Sequence, residues 1–341
     1  MEKIGILTGG GDCPGLNSVI RAVERCALIE KWQVLGFRNG WKGVIENEFI
    51  VLDSHIVSGI LPKGGTILGT SRTNPYKNSE NVDRVKKTFA KNQLSALIAI
   101  GGEDTLGVAL KLFQEGLPIV GVPKTIDNDL DCTDYTFGFD TAINIVTECI
   151  DRLHTTAESH NRVIVVEIMG RYAGWITLES GIAGGADVIL IPEVPVDIDE
   201  VCALIKKRHE RGKTFSIVAV AEGAKLSGED VVQSKELDAF GHVRLGGIGQ
   251  HIASLIENKT GFETRVTVLG HIQRGRTPTA FDRVLGTRFG VKAFELVKQR
   301  KFGEMVCLEA REINSVKLEK ALGALKTVPK KYYDLAKIFF G

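Results

Sequence analysis

Several features that would settle a class at once are scarce or missing. Nine prolines in 341 residues are too few for a proline-rich disordered tract. The six cysteines, Cys13, Cys26, Cys132, Cys149, Cys202 and Cys307, form no C-x-x-C pair and are too sparse for a disulfide scaffold. They read as free thiols in a reducing compartment. An excess of one charge is also missing: 43 basic residues face 42 acidic ones, a net of +1. No global field therefore draws nucleic acid or an anionic membrane, and neither is expected as a partner. No apolar run approaches the roughly 18 residues of a membrane span. The opening MEKIGILTGG carries a glutamate at position 2 and only a short apolar run, so no signal peptide is expected. The chain reads as cytoplasmic. What is abundant is glycine, 38 residues or about 11% against a usual value of about 7%. With no G-X-Y period, the excess means that the backbone repeatedly needs positive φ or approaches something closely.

The length suggests about two domains of roughly 150 residues each. Short, near-continuous apolar runs predict strands at Lys3–Thr8, Gln33–Phe37, Ala96–Gly101, 119–122, 162–168, 188–191, 215–221 and 264–269. Helical periodicity fills the gaps. Its clearest case follows Asp140, a candidate N-cap, where Ile143, Val146, Ile150, Leu153 and Ala157 recur at steps of three and four. Strand–helix alternation defines an α/β fold with largely parallel sheets, whose ligands bind at the carboxyl ends of strands. The polar stretch 224–244, with Gly228 and Gly241, reads as a long surface loop or hairpin. The segment 326–341 has the composition of either a docked last helix or a fraying tail.

Three strand ends carry chemistry. GGGDCPGLN (9–17) puts three glycines where a strand turns into a helix, so that backbone N–H groups and the helix terminus can surround an anion. It is neither a Walker loop nor G-x-G-x-x-G, and a tight turn between closely packed elements is the competing explanation. GGEDT (101–105) adds two carboxylates, which suit a phosphate site if a divalent metal sits between them. Helix capping by Glu103, Asp104 and Thr105 explains one acidic residue well and the glycine pair poorly. PKTIDND (123–129) places Asp127 and Asp129 two residues apart beside Lys124. One carboxylate can accept a hydroxyl proton while the other holds a metal, and an Asx-turn cluster is the alternative. Later strand ends bring Arg162, Arg171 in MGRYAGW (169–175), Glu222 in AEGAK, and Arg265, His271 and Arg274 in ETRVTVLGHIQRGR (263–276). Arginine suits bidentate phosphate recognition. Together these residues describe an enzyme that handles two phosphate-bearing ligands with a divalent cation. Phosphoryl transfer to a hydroxyl is the matching reaction, with no covalent nucleophile in evidence.

From Lys3 to roughly Cys307, with PKTIDND, MGRYAGW and GHIQRG in the same order, the chain closely resembles the 6-phosphofructokinase family. The resemblance implies two doubly wound α/β lobes with the active site in the cleft between them. Residues 1–138 plus about 273–322 would form the phosphoryl-donor lobe. Residues 139–272, with the tail 323–341, would form the fructose 6-phosphate lobe. Asp127 matches the family's base, which takes the proton from the C1 hydroxyl. Thr125, Met169, Gly170, Arg171 and Glu222 match sugar-phosphate contacts, and His271 and Arg274 match those of the 6-phosphate. Arg162 and Arg265 match residues supplied by a neighbouring subunit, which implies a homodimer or homotetramer with shared active sites. Gly10, Gly11 and Gly102 would face the donor, and Arg72 matches an arginine that stabilises the moving phosphoryl group. Glu103 takes the metal-binding acidic position, where ATP-using members usually carry aspartate, and Asp129 assists. Mg²⁺ is the implied cofactor. Arg21, Arg25 and Lys213 match basic positions of an effector site found in some ATP-using members, whereas Ser54 and His154 stand where those members carry arginine.

The informative departure concerns the donor. ATP-using members typically have glycine at the position of Asp104, and common bacterial ones also at Lys124. Pyrophosphate-using members typically show aspartate and lysine. An aspartate fills the space of a nucleotide's α-phosphate and repels it, by about 4 kcal/mol for charges about 4 Å apart at an effective dielectric near 20. Pyrophosphate is the expected donor and fructose 6-phosphate the acceptor, with an Asp104–Lys124 ion pair and continued ATP use as the alternative. A catalytically silent sugar-phosphate-binding subunit is disfavoured because Asp127, Glu103 and Asp129 are all present.

Overall fold

Apolar runs fold here as strands buried on both faces, and the amphipathic segments between them fold as helices covering those faces. The computed structural model describes residues 1–228, 233–237 and 243–341. The chain begins β1 Lys3–Thr8, α1 Leu16–Ile29, β2 Gln33–Phe37, α2 Trp41–Glu46, β3 Phe49–Leu52, α3 Ser79–Asn92, β4 Ala96–Gly101, α4 Glu103–Gln114 and β5 Ile119–Pro123. A long helix, α5 Phe139–His160, leads to β6 Val163–Ile168, α6 Trp175–Ala183, β7 Val188–Leu190, α7 Ile198–Glu210 and β8 Ser216–Ala221. Then come β9 Gln233–Leu237, β10 Val243–Leu245, α8 Ile248–Thr260, β11 Thr264–Val268 and α9 Ala280–Lys298. The chain ends with β12 Glu304–Glu309, β13 Glu312–Lys317, α10 Leu318–Ala321 and α11 Lys330–Lys337. It divides into two units. The first holds Met1–Ile126, Leu130–Thr141 and Arg274–Leu325; the second holds Asp127–Asp129, Ala142–Gln273 and Lys326–Gly341.

The first unit is built on a seven-stranded sheet in the order β13-β12-β5-β4-β1-β2-β3. Its inner strands are parallel, while β3 and β13 pair antiparallel at the edges. Ile4, Ile6, Leu97, Ile98, Ile100, Val120 and Val122 are fully buried in it. The registers Thr8↔Ile100 and Gly101↔Pro123 bring the carboxyl ends of β1, β4 and β5 side by side. The second unit carries a four-stranded parallel sheet, β11-β6-β8-β7. There Ile168↔Ala221 and Val268↔Glu167 align the carboxyl ends of β6, β8 and β11. Val163, Val165, Val218, Val220 and Ile252 form its core. The chain's last segment docks: α11 packs on α6 and β7, with Tyr333 buried and its hydroxyl donating to Ile189 O at 3.0 Å.

Some expectations need correction. Asp140 is not an N-cap, because α5 already starts at Phe139. The cap comes from another helix. Asp282 on α9 accepts from Thr141 N at 2.8 Å and from Thr141 Oγ1 at 2.5 Å. Asp140 instead accepts from Thr279 Oγ1 at 2.6 Å. Along α5, Val146, Ile150 and Ala157 are fully buried, whereas Ile143 and Leu153 are half-buried. β3, β12 and β13 were not anticipated. The β12–β13 turn is Ala310-Arg311, and Ala310 reaches φ 56° with no glycine to announce it. Within 224–244, β9 and β10 pair antiparallel as a hairpin. Residues 229–232 and 238–242, Gly241 among them, lie outside the described residues.

Candidate active site

In the first unit the glycine turn is fixed from several directions. Gly9 N donates to Ile100 O at 2.9 Å and Gly10 N to Ser71 O at 3.2 Å. Thr70 Oγ1 donates to Gly10 O at 2.5 Å. Arg72, exposed, follows directly after Ser71. Two cations close on the next residues. Lys124 Nζ donates to Gly11 O at 2.5 Å, and Arg274 Nη1 donates to Asp12 O at 3.1 Å. Lys124 is only 3% exposed, and a buried ammonium of this kind needs acceptors to offset its desolvation. Its backbone N–H is held by Gly101 O at 2.9 Å, which ties the start of the PKTIDND loop to the GGEDT turn.

The glycines here serve two purposes. A Cβ on Gly9 would lie 2.6 Å from Thr105 Oγ1, and one on Gly101 would also collide with the Thr105 side chain. These two are small because α4 packs Thr105 against both strand ends. A Cβ on Gly11 would collide with the Arg274 guanidinium. Gly10 and Gly102 differ. Their nearest neighbours to an added Cβ are Lys124 Nζ and Lys124 O, each at 3.5 Å, and Gly10 sits at φ 78°. At these two positions an incoming group can reach the backbone itself. Glu103, exposed, and Asp104, half-buried, form the first turn of α4 after Gly102 and suit the positive end of the helix dipole. Cys13 lies buried within the 9–17 glycine turn, and burial pushes its thiol up to about 12, so it is no nucleophile.

The second unit gathers another group. Asp127 is 4% exposed and Asn128 is 2% exposed, with Asn128 in the left-handed region at φ 52°. Glu222, just past β8, accepts from Arg171 N at 3.1 Å and Gly170 N at 3.4 Å. Burial raises its carboxyl to about 7, and the charge of Asp127 pushes in the same direction. Met169 N donates to Gln273 Oε1 at 3.2 Å, and Gln273, fully buried, donates from Nε2 to Gly270 O at 3.0 Å. The ends of β6, β8 and β11 are thus tied together by Met169, Gly170, Arg171, Glu222 and Gln273, and the charge of Asp127 acts on Glu222. Gln273 carried no expected role although it stands inside GHIQRG. His271 is exposed in the same turn, Gly270–Arg274. Thr125 is nearly buried in the first unit, its carbonyl accepting from Thr136 Oγ1 at 2.7 Å.

Arg162 and Arg265 are brought together with each other but not with this group. Both pair with Glu263: Arg162 Nη2 at 2.8 Å, and Arg265 in direct contact. Arg162 precedes β6, whereas 169–171 follow it. Six strand residues at about 3.3 Å each separate them by about 20 Å. Among the described residues no group of three or more His, Cys, Asp or Glu could hold a metal. Glu103 and Asp104, adjacent acids in the first turn of α4, have the oxygen donors that suit a cation sharing its coordination with phosphate, as Mg²⁺ usually does.

Backbone-lined turns with a buried lysine and an arginine, set at the carboxyl ends of parallel strands, define an α/β protein built to handle phosphate groups. Comparison with known proteins makes this specific. The sequence profile of the family described as Phosphofructokinase matches residues 3–297. The chain belongs to the phosphofructokinase family. It is 57% identical to the pyrophosphate–fructose 6-phosphate 1-phosphotransferase of Amycolatopsis mediterranei, over 99% of this chain and 100% of the relative. It is 52% identical to the ATP-dependent 6-phosphofructokinase of Mycobacterium leprae, over the same shares of the two chains. The pyrophosphate-dependent phosphofructokinase structure from Nitrosospira multiformis superposes with a TM-score of 0.85 at 22% identity, over 96% of this chain and 86% of that one. This last likeness concerns the fold.

Proposed function

We propose that this enzyme transfers a phosphoryl group from pyrophosphate to the C1 hydroxyl of fructose 6-phosphate, yielding fructose 1,6-bisphosphate and phosphate in a reversible, Mg²⁺-dependent reaction in glycolysis. The observation that carries the donor assignment is Asp104 in the first turn of α4, next to a Gly102 turn whose partner loop bears the buried Lys124. A carboxylate there opposes a nucleotide's extra phosphate, while a lysine on the glycine loop favours a small, densely charged donor. Relatives named for pyrophosphate at 55–57% identity support this reading, against 51–52% for those named for ATP.

On this reading the first unit is the donor lobe and the second the sugar-phosphate lobe. Gly10, Gly11 and Gly102 face pyrophosphate, Lys124 holds the leaving phosphate, and Arg72 stabilises the phosphoryl group in transit. Glu103, assisted by Asp129, would hold Mg²⁺, which when bound neutralises phosphate charge. Asp127 takes the proton from the C1 hydroxyl. Thr125, Met169, Gly170 and Arg171 position the sugar phosphate, and Glu222 takes its hydroxyls. His271 and Arg274 receive the 6-phosphate. Arg274 rests on Asp12 O, a contact that its proposed ligand would have to replace. Arg162, about 20 Å along the sheet from 169–171, and Arg265, in register with Ile164, serve the active site of another copy in a cytoplasmic homodimer or homotetramer.

The reverse reaction gives a direct test. Supplied with fructose 1,6-bisphosphate, inorganic phosphate and Mg²⁺, the enzyme is expected to release pyrophosphate and fructose 6-phosphate. Absence of pyrophosphate under conditions where the forward reaction runs would refute reversible pyrophosphate chemistry.

A further inference from the structure

The segment after residue 325 is absent from every motif above, yet it reaches the loop that carries Asp127. Lys326 N donates to Asp129 O at 3.0 Å, and Lys326 Nζ donates to Asn128 Oδ1 at 3.1 Å. From its other side Lys326 is gripped by the MGRYAGW segment. Trp175 Nε1 donates to Lys326 O at 2.9 Å, and the Lys326 ammonium lies 5.3 Å from the centre of the Trp175 ring. Two residues on, Val328 N donates to Glu193 Oε1 at 2.9 Å, and the same carboxylate accepts from Gly174 N at 2.9 Å. Three residues of the tail thus link the 127–129 loop to the turn that follows 169–171. The loop needs such a restraint. Asn128 is buried and held in the left-handed region at φ 52°, a conformation that costs energy for a residue with a Cβ. It stands between the two acids, so a change in its backbone would redirect both.

We propose that Lys326 is a positioning residue: through Asn128 and the Asp129 carbonyl it fixes the orientation of Asp127 toward the acceptor hydroxyl. This rests on the reading of Asp127 as the base. On this assignment the side chain acts through the loop rather than on a substrate. Its effect belongs in kcat, because a base displaced by about 1 Å costs up to about a hundredfold in rate while leaving acceptor binding largely intact.

Kinetics of four variants test it: Lys326→Met, Asn128→Gly (which keeps the left-handed backbone and removes the acceptor), Asp127→Asn, and Lys326→Met combined with Asp127→Asn. The expected result is about a tenfold fall in kcat for Lys326→Met and for Asn128→Gly, with the fructose 6-phosphate KM changed less than threefold. In the Asp127→Asn background, Lys326→Met is expected to have almost no further effect, since a positioning residue has nothing left to position. If Lys326→Met fails to fold, Asn128→Gly, alone and combined with Asp127→Asn, carries the same comparison. Unchanged kcat with a lowered melting temperature would mark a mere tether and overturn the proposal, as would an equal fall in both backgrounds. Wild-type kcat in Asp127→Asn would instead sink the base assignment, and the Lys326 proposal with it.

Discussion

Asp104 is where donor choice is decided on the proposed reading, and it can be tested with one substitution. Asp104→Gly is expected to raise kcat/KM with ATP relative to pyrophosphate by at least about tenfold, a conservative share of the roughly 4 kcal/mol repulsion; an unchanged ratio in steady-state assays would remove Asp104 as the selector. Glu222 makes a prediction about pH. Its carboxyl titrates near 7 in the folded chain instead of the usual 4.5, chiefly through burial. The folded state therefore holds this proton more tightly than the unfolded chain does. The stability it contributes is full below about 4.5 and is lost as pH rises toward 7. Glu222→Gln should flatten the fall in melting temperature between pH 5 and 8, and parallel curves for the two proteins would contradict the assigned titration. The acids and arginines at strand ends were legible because residue type, spacing and position after an apolar run all coincide there. Lys326 was not. Its bond to Asn128 spans 198 residues, and one lysine among the four of the tail carries no local signal.

At the scale of elements, the glycine excess divides into packing and approach. Gly9 and Gly101 make room for Thr105 where β1 and β4 meet α4, whereas Gly102 offers its backbone. Gly101→Ala is expected to cost about 1–3 kcal/mol by overpacking, measured by chemical denaturation, and Thr105→Ser in the same chain should recover part of it. Gly102→Ala should leave stability within about 0.5 kcal/mol and raise the donor KM instead. If Gly102→Ala lost as much stability as Gly101→Ala, the division would be wrong. The inner strands could be read from sequence because parallel strands buried on both faces are continuously apolar. The β12–β13 hairpin escaped because Ala310 supplies the positive φ that glycine usually marks. The cap of α5 escaped because it comes from Asp282, 141 residues away from Thr141.

For the whole molecule, the α/β architecture was visible in the strand–helix alternation and the family in three motifs, while the separation of Arg162 and Arg265 from 169–171 needed the sheet. That separation predicts shared active sites. Asp127→Asn and Arg162→Ala, each expected to be nearly inactive alone, should regain activity when coexpressed as hybrids; persistent inactivity in hybrids verified by mass would argue for self-contained subunits. The central claim, pyrophosphate as phosphoryl donor, is tested most directly by measuring fructose 1,6-bisphosphate formation by the purified enzyme with fructose 6-phosphate, Mg²⁺ and either pyrophosphate or ATP. The account predicts a kcat/KM for pyrophosphate at least about a hundredfold above that for ATP, in keeping with the repulsion assigned to Asp104. Equal values, or a preference for ATP, would contradict it.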